Sequence, residues 1–221
     1  MTHPTDCLRV YDCDRNMVRL GRDHDGGYCV HTGIVYDHFL SGGIADDSSF
    51  EYASLEANPG LVCEAFDPNS DGGPNRHPRM HFHQREVGYW GLEFHRNVLV
   101  KLDIERAEWP WLRDITRDQL SRIAQFVIEL HSPHHECWDW EALARLADTH
   151  ILVHFHANNY DGIVTVHDVR MPGTMECTWL RRDLAGDVTR KRTPVPEAID
   201  QKNDRNAPEH VIDWEPFCEV G

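Results

Sequence analysis

Asp37-His38-Phe39-Leu40-Ser41-Gly42-Gly43-Ile44-Ala45-Asp46-Asp47-Ser48-Ser49-Phe50-Glu51 reads as a short apolar strand, a glycine turn and the start of a helix. Two adjacent glycines let a backbone approach a ligand closely. Asp46, Asp47, Ser48 and Ser49 supply side-chain oxygens that can cap the helix. Such a junction seats nucleotide-like cofactors. The turn has neither the full GxGxxG pattern nor a Lys-Ser/Thr pair, so a dinucleotide pyrophosphate or P-loop phosphate is not expected. The pattern points to a ligand without phosphates.

Outward from this turn, β-branched apolar runs alternate with segments of helical period, the signature of an α/β domain with a largely parallel sheet. Strands are expected at 37–41, 61–66, 80–84, 98–103, 125–130, 150–155 and 175–180, and helices at 47–57, 107–119 and 138–148. In the last helix Trp138, Leu143, Leu146 and Ala147 form an apolar face. Only about 13 residues separate the third and fourth strands, so that crossover is expected to be short or irregular. Ahead of the core, Met17–Leu20 and Tyr28–Val30 flank Asp25-Gly26-Gly27, a strong hairpin signal. From Asp183 onward the chain is rich in proline and charge yet contains Val211-Ile212-Asp213-Trp214 near its end, which predicts a tail wrapped on the domain. The expected organisation is an accessory hairpin over 1–36, a core over 37–182 and a wrapping tail over 183–221, forming one domain.

With 22 Lys and Arg against 37 Asp and Glu, the formal charge is -15, which repels a nucleic-acid backbone unless basic residues cluster. Arg181-Arg182 and Arg190-Lys191-Arg192 form the only dense basic run. Seven scattered cysteines, odd in number and never spaced CxxC, argue against a disulfide framework and for a reducing compartment. No signal-peptide pattern or membrane-length apolar stretch occurs, so a cytoplasmic protein with no membrane partner is expected.

Ligands of open α/β sheets collect beyond the carboxyl ends of the strands. Asp67 ends the second strand about 24 residues after the glycine turn, the usual place for a carboxylate that grips ribose hydroxyls. The fourth strand runs into Asp103, Glu105 and Glu108. Glu108 suits the positive end of a helix, whereas Asp103, completing an apolar strand, calls for a hydrogen bond, cation or substrate. The fifth ends in Glu129 and His131. Asp103, Glu129 and His131 are therefore candidate ligands for magnesium or manganese. His131, His134, His135 and Cys137 match no zinc-ligand spacing.

Taken in order, Arg19-Leu20-Gly21-Arg22-Asp23 with Asp25-Gly26-Gly27-Tyr28, the stretch 41–51, Ala65-Phe66-Asp67-Pro68, Lys101-Leu102-Asp103-Ile104-Glu105-Arg106-Ala107-Glu108-Trp109 and Val127-Ile128-Glu129-Leu130-His131 resemble the FkbM-type and related methyltransferase-like families. The C-terminal part also looks like the end of that family, so the likeness runs over most of the chain. The resemblance implies a Rossmann-like class I methyltransferase fold, with a seven-stranded, mostly parallel sheet whose last strand is antiparallel. It implies S-adenosylmethionine as cofactor, with Gly42, Gly43, Ile44, Asp46 and Phe50 at its methionine part and Asp67 at its ribose. Two positions depart from the pattern: Ala45 stands where the family usually has glycine, and Arg106 replaces the glycine of the LysXAspXGluGly motif.

Methyl transfer is an in-line displacement, so the acceptor must be aligned and a hydroxyl acceptor relieved of its proton. Asp103, Glu105, Glu129 and His131 are the expected catalytic residues. O-methylation of a small-molecule or sugar hydroxyl, possible metal assistance included, is the leading expectation. The alternatives are N-methylation of a peptide or amine and a non-catalytic cofactor-binding module.

Overall fold

The computed structural model describes residues 4–72 and 76–220; Met1–His3 of the expected accessory segment and Gly221 of the tail lie outside them. After a 3-10 turn at Pro4–Leu8 come β1 (Tyr11–Cys13) and a hairpin of β2 (Met17–Gly21) and β3 (Gly27–His31). There follow β4 (His38–Gly42), α1 (Ser49–Ala57), β5 (Cys63–Phe66), β6 (Met80–His83), β7 (Val98–Leu102), α2 (Glu108–Asp114) and α3 (Arg117–Arg122). The chain continues through β8 (Ile123–His131), α4 (Trp140–Thr149), β9 (His150–Ala157), β10 (Ile163–Val166), β11 (Val169–Pro172), β12 (Thr174–Arg181), α5 (Arg182–Ala185) and β13 (Val188–Arg190).

Seven strands form one sheet in the order β6-β5-β4-β7-β8-β12-β9. β12 is antiparallel to both its neighbours, and the remaining pairs are parallel. All seven expected core strands are present within about two residues of their predicted ends, the error that fraying ends allow. The strand order reverses between β4 and β7, so the crevice of the sheet opens there.

Two elements differ from expectation. The segment 107–119 is not one helix, because Thr116 starts a new one: its hydroxyl accepts from Gln119 N–H, and the Gln119 side chain accepts from Thr116 N–H. β10 and β11 form a hairpin that was not expected, turned by His167 and Asp168 at φ of 49° and 62°. The crossover between β6 and β7 has no helix, as its length predicts.

Alternation along β8 divides the interior. Phe126, Ile128 and Leu130 join the core on the face that buries Trp109, Leu112, Leu143 and Leu146 of α2 and α4. Gln125, Val127, Glu129 and His131 point the other way. On that side β3 crosses the sheet, with His31 N–H donating to Gln125 Oε1 at 3.0 Å and the Tyr28 hydroxyl reaching Glu129. The tail follows. β13 pairs with β1, Val195 bridges Ile212, and Phe217 stacks on Phe155 at 4.1 Å. Lys191 is buried between Asp12 at 3.0 Å and Glu197 at 2.7 Å.

Candidate functional site

Over the carboxyl ends of β4, β5, β6 and β7 lies an open cleft of about 1100 Å³. Its walls carry Asp46, Asp67, Asp71, Glu86, Asp103, Glu105 and Asp114, with Phe66, Val87, Tyr89 and Trp111 between them, and no lysine or arginine among the described residues. Clustered carboxylates with low-dielectric walls focus a field that attracts cations.

The glycine turn serves this cleft differently from its first reading. A Cβ on Gly43 would sit 1.7 Å from the Asp103 carbonyl oxygen, and its φ is +76°, so only glycine lets the β4 and β7 turns pass each other. Gly42 is packed against Val87 and Ile104. Gly43, Ala45 and Asp46 line the cleft; Gly42 and Ile44 do not. Phe50 is a correction: it is 2% exposed and meets Tyr28 and Phe39 edge-on, so the first turn of α1 directs it into the core rather than toward a ligand. Ile44 belongs to the same apolar cluster. Asp47, not a cofactor, occupies the start of α1, accepting from Ser49 N–H at 3.1 Å and pairing with Arg22 of the hairpin turn at 3.2 Å.

Asp67 lines the cleft and ties its loops together. Its Oδ2 accepts from Ala45 N–H at 2.9 Å, and its Oδ1 accepts from Asn69 and Ser70 N–H at 2.7 and 3.0 Å. Three of roughly four lone-pair sites are therefore used inside the protein. Ala45, Glu105 and Arg106 adopt φ of 43°, 54° and 76°. Ala45 and Arg106, the two positions where the resemblance implies glycine, thus fall where the backbone turns left-handed, a conformation that costs non-glycine residues of order 1 kcal/mol or more.

Asp103, Glu129 and His131 converge as their strand-end positions predict, with one ligand-type atom from each lying within 4.8 Å of the others. Asp103 faces the cleft; Glu129 and His131 stand behind it. The Tyr28 hydroxyl donates to Asp103 Oδ2 at 2.9 Å and lies 3.4 Å from Glu129 Oε2. Lys101 Nζ is 3.6 Å from Asp103 Oδ2 and donates to the Gly43 carbonyl. Asn158 donates to Glu129 Oε1 at 2.7 Å. Burial, then the charges of Asp103 and Glu176, push the Glu129 carboxyl well above the usual range.

His131 is anchored by Glu108, whose Oε1 accepts from both its backbone N–H and Nδ1, at 3.0 and 3.1 Å. Its Nε2 faces Glu105 at 3.7 Å and Asp103 at 3.9 Å. Burial opposes its protonation, but the hydrogen bond and charge of Glu108 outweigh it and raise the pKa to about 9. Glu108 is therefore more than a helix-end acid: it is fully buried and holds the imidazole. Tyr28, Lys101, Glu108 and Asn158 also join the cluster, each from a different element, and no local pattern shows that they meet.

These surroundings fit a metal poorly. Asp103 Oδ2 accepts from Tyr28, Glu129 Oε1 accepts from Asn158, and Lys101 already places a positive charge beside Asp103.

A sheet of order third-second-first-fourth-fifth-seventh-sixth, with the seventh strand antiparallel, is the Rossmann-like class I methyltransferase fold. No protein-family profile matches the chain, and no curated protein sequence does. Among solved structures it is similar to TrmN from Thermus thermophilus, at 12% identity and a TM-score of 0.36, over 67% of this chain and 44% of that one. It is also similar to a putative hemolysin from Streptococcus thermophilus, at 8% identity and 0.42, over 71% and 72%. A third is precorrin-6y C5,15-methyltransferase from Geobacter metallireducens GS-15, at 9% and 0.37, over 68% and 84%. The chain spans less than half the length of TrmN. All three TM-scores lie below 0.5, so the fold rests on the strand order itself.

Among the described residues no helix is long and apolar enough to cross a membrane. In the basic run Arg181 pairs with Asp183, Arg182 donates to the Ala147 carbonyl, Arg190 pairs with Glu215 and Arg192 with Glu219.

Proposed function

We propose that the chain is an S-adenosylmethionine-dependent methyltransferase of the FkbM-like group, acting on a hydroxyl of a small molecule or sugar. The observation that carries this reading is the acidic cleft at the switch point of the sheet, with Asp103 on its wall. A sulfonium and an α-amino group are cations, and walls rich in carboxylates suit them. In this reading Gly43, Ala45 and Asp46 meet the methionine part, while the remaining acceptor site of Asp67 takes a ribose hydroxyl.

Asp103 then takes the acceptor proton as the methyl moves, while Tyr28 and His131 hold its charge and orientation. Glu105 sits at the mouth. The His131 imidazolium is a poor base and Glu129 does not line the cleft, so each supports Asp103 instead. No step is routed through magnesium or manganese, since Tyr28 and Asn158 engage one oxygen each of Asp103 and Glu129 and Lys101 supplies a positive charge there. Domain boundaries near residues 36 and 182 follow from the same reading, with hairpin and tail as attachments to one core.

The acidity of the cleft also supports a second reading, N-methylation of an amine or peptide, because a cationic acceptor gains from the same field. Calorimetry with S-adenosylhomocysteine, followed by methyl-transfer assays with alcohol, sugar and amine acceptors, tests the proposal. Binding and turnover on an alcohol or sugar support it. Turnover on amines alone selects the second reading, binding without turnover marks a cofactor-binding module, and no binding refutes all three.

A further inference from the structure

Away from the cleft, Cys29 on β3, His154 on β9 and Asp200 in the tail bring a sulfur, an imidazole nitrogen and a carboxylate oxygen within 4.8 Å of one another. Cys29 is 5% exposed, and the side chains of His154 and Asp200 are each 2% exposed. Both other atoms approach the same carboxylate oxygen: His154 Nε2 lies 2.8 Å from Asp200 Oδ1, and Cys29 Sγ lies 3.6 Å from it. Tetrahedral zinc, with Zn–S about 2.3 Å and Zn–N and Zn–O about 2.1 Å, has S···O edges of about 3.6 Å and N···O edges of about 3.4 Å. The first edge is already present. The second requires His154 and Asp200 to part by about 0.6 Å, within reach of a small side-chain rotation.

We propose that Cys29, His154 and Asp200 are three protein ligands of a zinc-class divalent cation that fastens the tail to the hairpin and to the edge of the sheet. The mixed sulfur, nitrogen and oxygen set suits zinc and not the oxygen-seeking magnesium or calcium. The surroundings orient it. Asp200 Oδ2 accepts from Glu197 N–H at 2.6 Å, and the Cys29 carbonyl accepts from the Thr178 hydroxyl at 2.6 Å. Zinc binding replaces the Cys29 S–H bond with S–Zn and releases that proton to solvent. The structural gain is clear from the tail: from 191 to 210 it has a single isolated bridge and no strand ladder or helix, so it depends on such point attachments.

X-ray absorption on the full chain, reloaded with zinc alone, tests this. The expected result is one zinc per chain with a sulfur scatterer at about 2.3 Å. In cobalt-loaded protein the thiolate-to-cobalt charge-transfer band is expected to vanish in Cys29→Ser and to survive in Asp103→Asn. A chain that holds no zinc, a zinc shell without sulfur, or a band that persists in Cys29→Ser overturns the assignment and leaves a metal-free hydrogen-bonded triad. The wild-type spectrum decides the question even where the serine variant fails to fold, and it does so independently of methyl transfer.

Discussion

His131 and His156 are the same chemical device in two settings. Each lies at the end of a core strand and carries carboxylate partners: Glu108, Asp103 and Glu105 for His131, Glu176 at 3.0 Å and Glu209 at 3.1 Å for His156. Burial opposes protonation of His156 as it does for His131, and the hydrogen bonds of Glu176 and Glu209 overturn it, raising the pKa to about 10. The difference is access. Asp103 and Glu105, beside His131, open onto the cleft, whereas the tail seals His156 at 2% exposure. A charged network that meets solvent at one edge can bind and react, while one closed on all sides can only hold the fold together.

The sharpest way to break this contrast is to disable each cluster and ask what is lost. Asp103→Asn is expected to lower turnover roughly 10²- to 10⁴-fold with little change in melting temperature. His156→Ala is expected to cost about 3 kcal/mol or more of stability by denaturant titration, because it leaves the buried Glu176 and the half-buried Glu209 without their cation, yet to keep kcat/KM in the fraction that folds. If Asp103→Asn lost stability and kept activity, the assignment of roles would be reversed.

Next in size is Asp67→Ala. Losing the acceptor for Ala45, Asn69 and Ser70 N–H and for the cofactor is expected to weaken S-adenosylhomocysteine binding roughly tenfold or more by calorimetry. Unchanged affinity would remove the ribose role.

Stability against pH sharpens the comparison further. The raised pKa values of His131 and His156 give stability that is full below the unfolded value of 6.5 and lost as pH rises toward about 9 and 10. His31 and His150 are lowered to about 4, chiefly by burial, so their contribution is present above 6.5 and lost as pH falls toward 4. Melting temperatures between pH 4 and 10 are expected to peak near 6 to 7. A plateau extending to pH 10 would show that neither His131 nor His156 is held as its geometry implies.

The smallest expected effect is that of chelator on methyl transfer. Activity is expected to stay within about twofold, because Tyr28 and Asn158 engage one oxygen each of Asp103 and Glu129 and Lys101 supplies a positive charge beside them. Abolition by chelator, with rescue by magnesium or manganese, would restore the metal reading of that cluster.

Much of this was legible in the chain. Strong periodicity and apolar runs placed all seven strands of the sheet, and acids ending the apolar strands at Asp103 and Glu129 flagged the cluster. Phe50 misled because a residue following a ligand-type turn in sequence can enter the core after one helical turn. Tyr28 and Glu108 were missed because their roles depend on β3 crossing β8 and on α2 leaning over the end of that strand, contacts with no local signature.

Sequence alone determined the element order, the acidic balance of charge and which residue types end each strand, since these follow from local period and composition. Only the tertiary structure decided that Gly43 is needed for a turn-on-turn crossing, that Asp67 binds three backbone amides, and that two similar histidine clusters divide into an open one and a sealed one. Those outcomes depend on which distant segments cover each strand end, and burial by a distant segment is a property of the assembled fold.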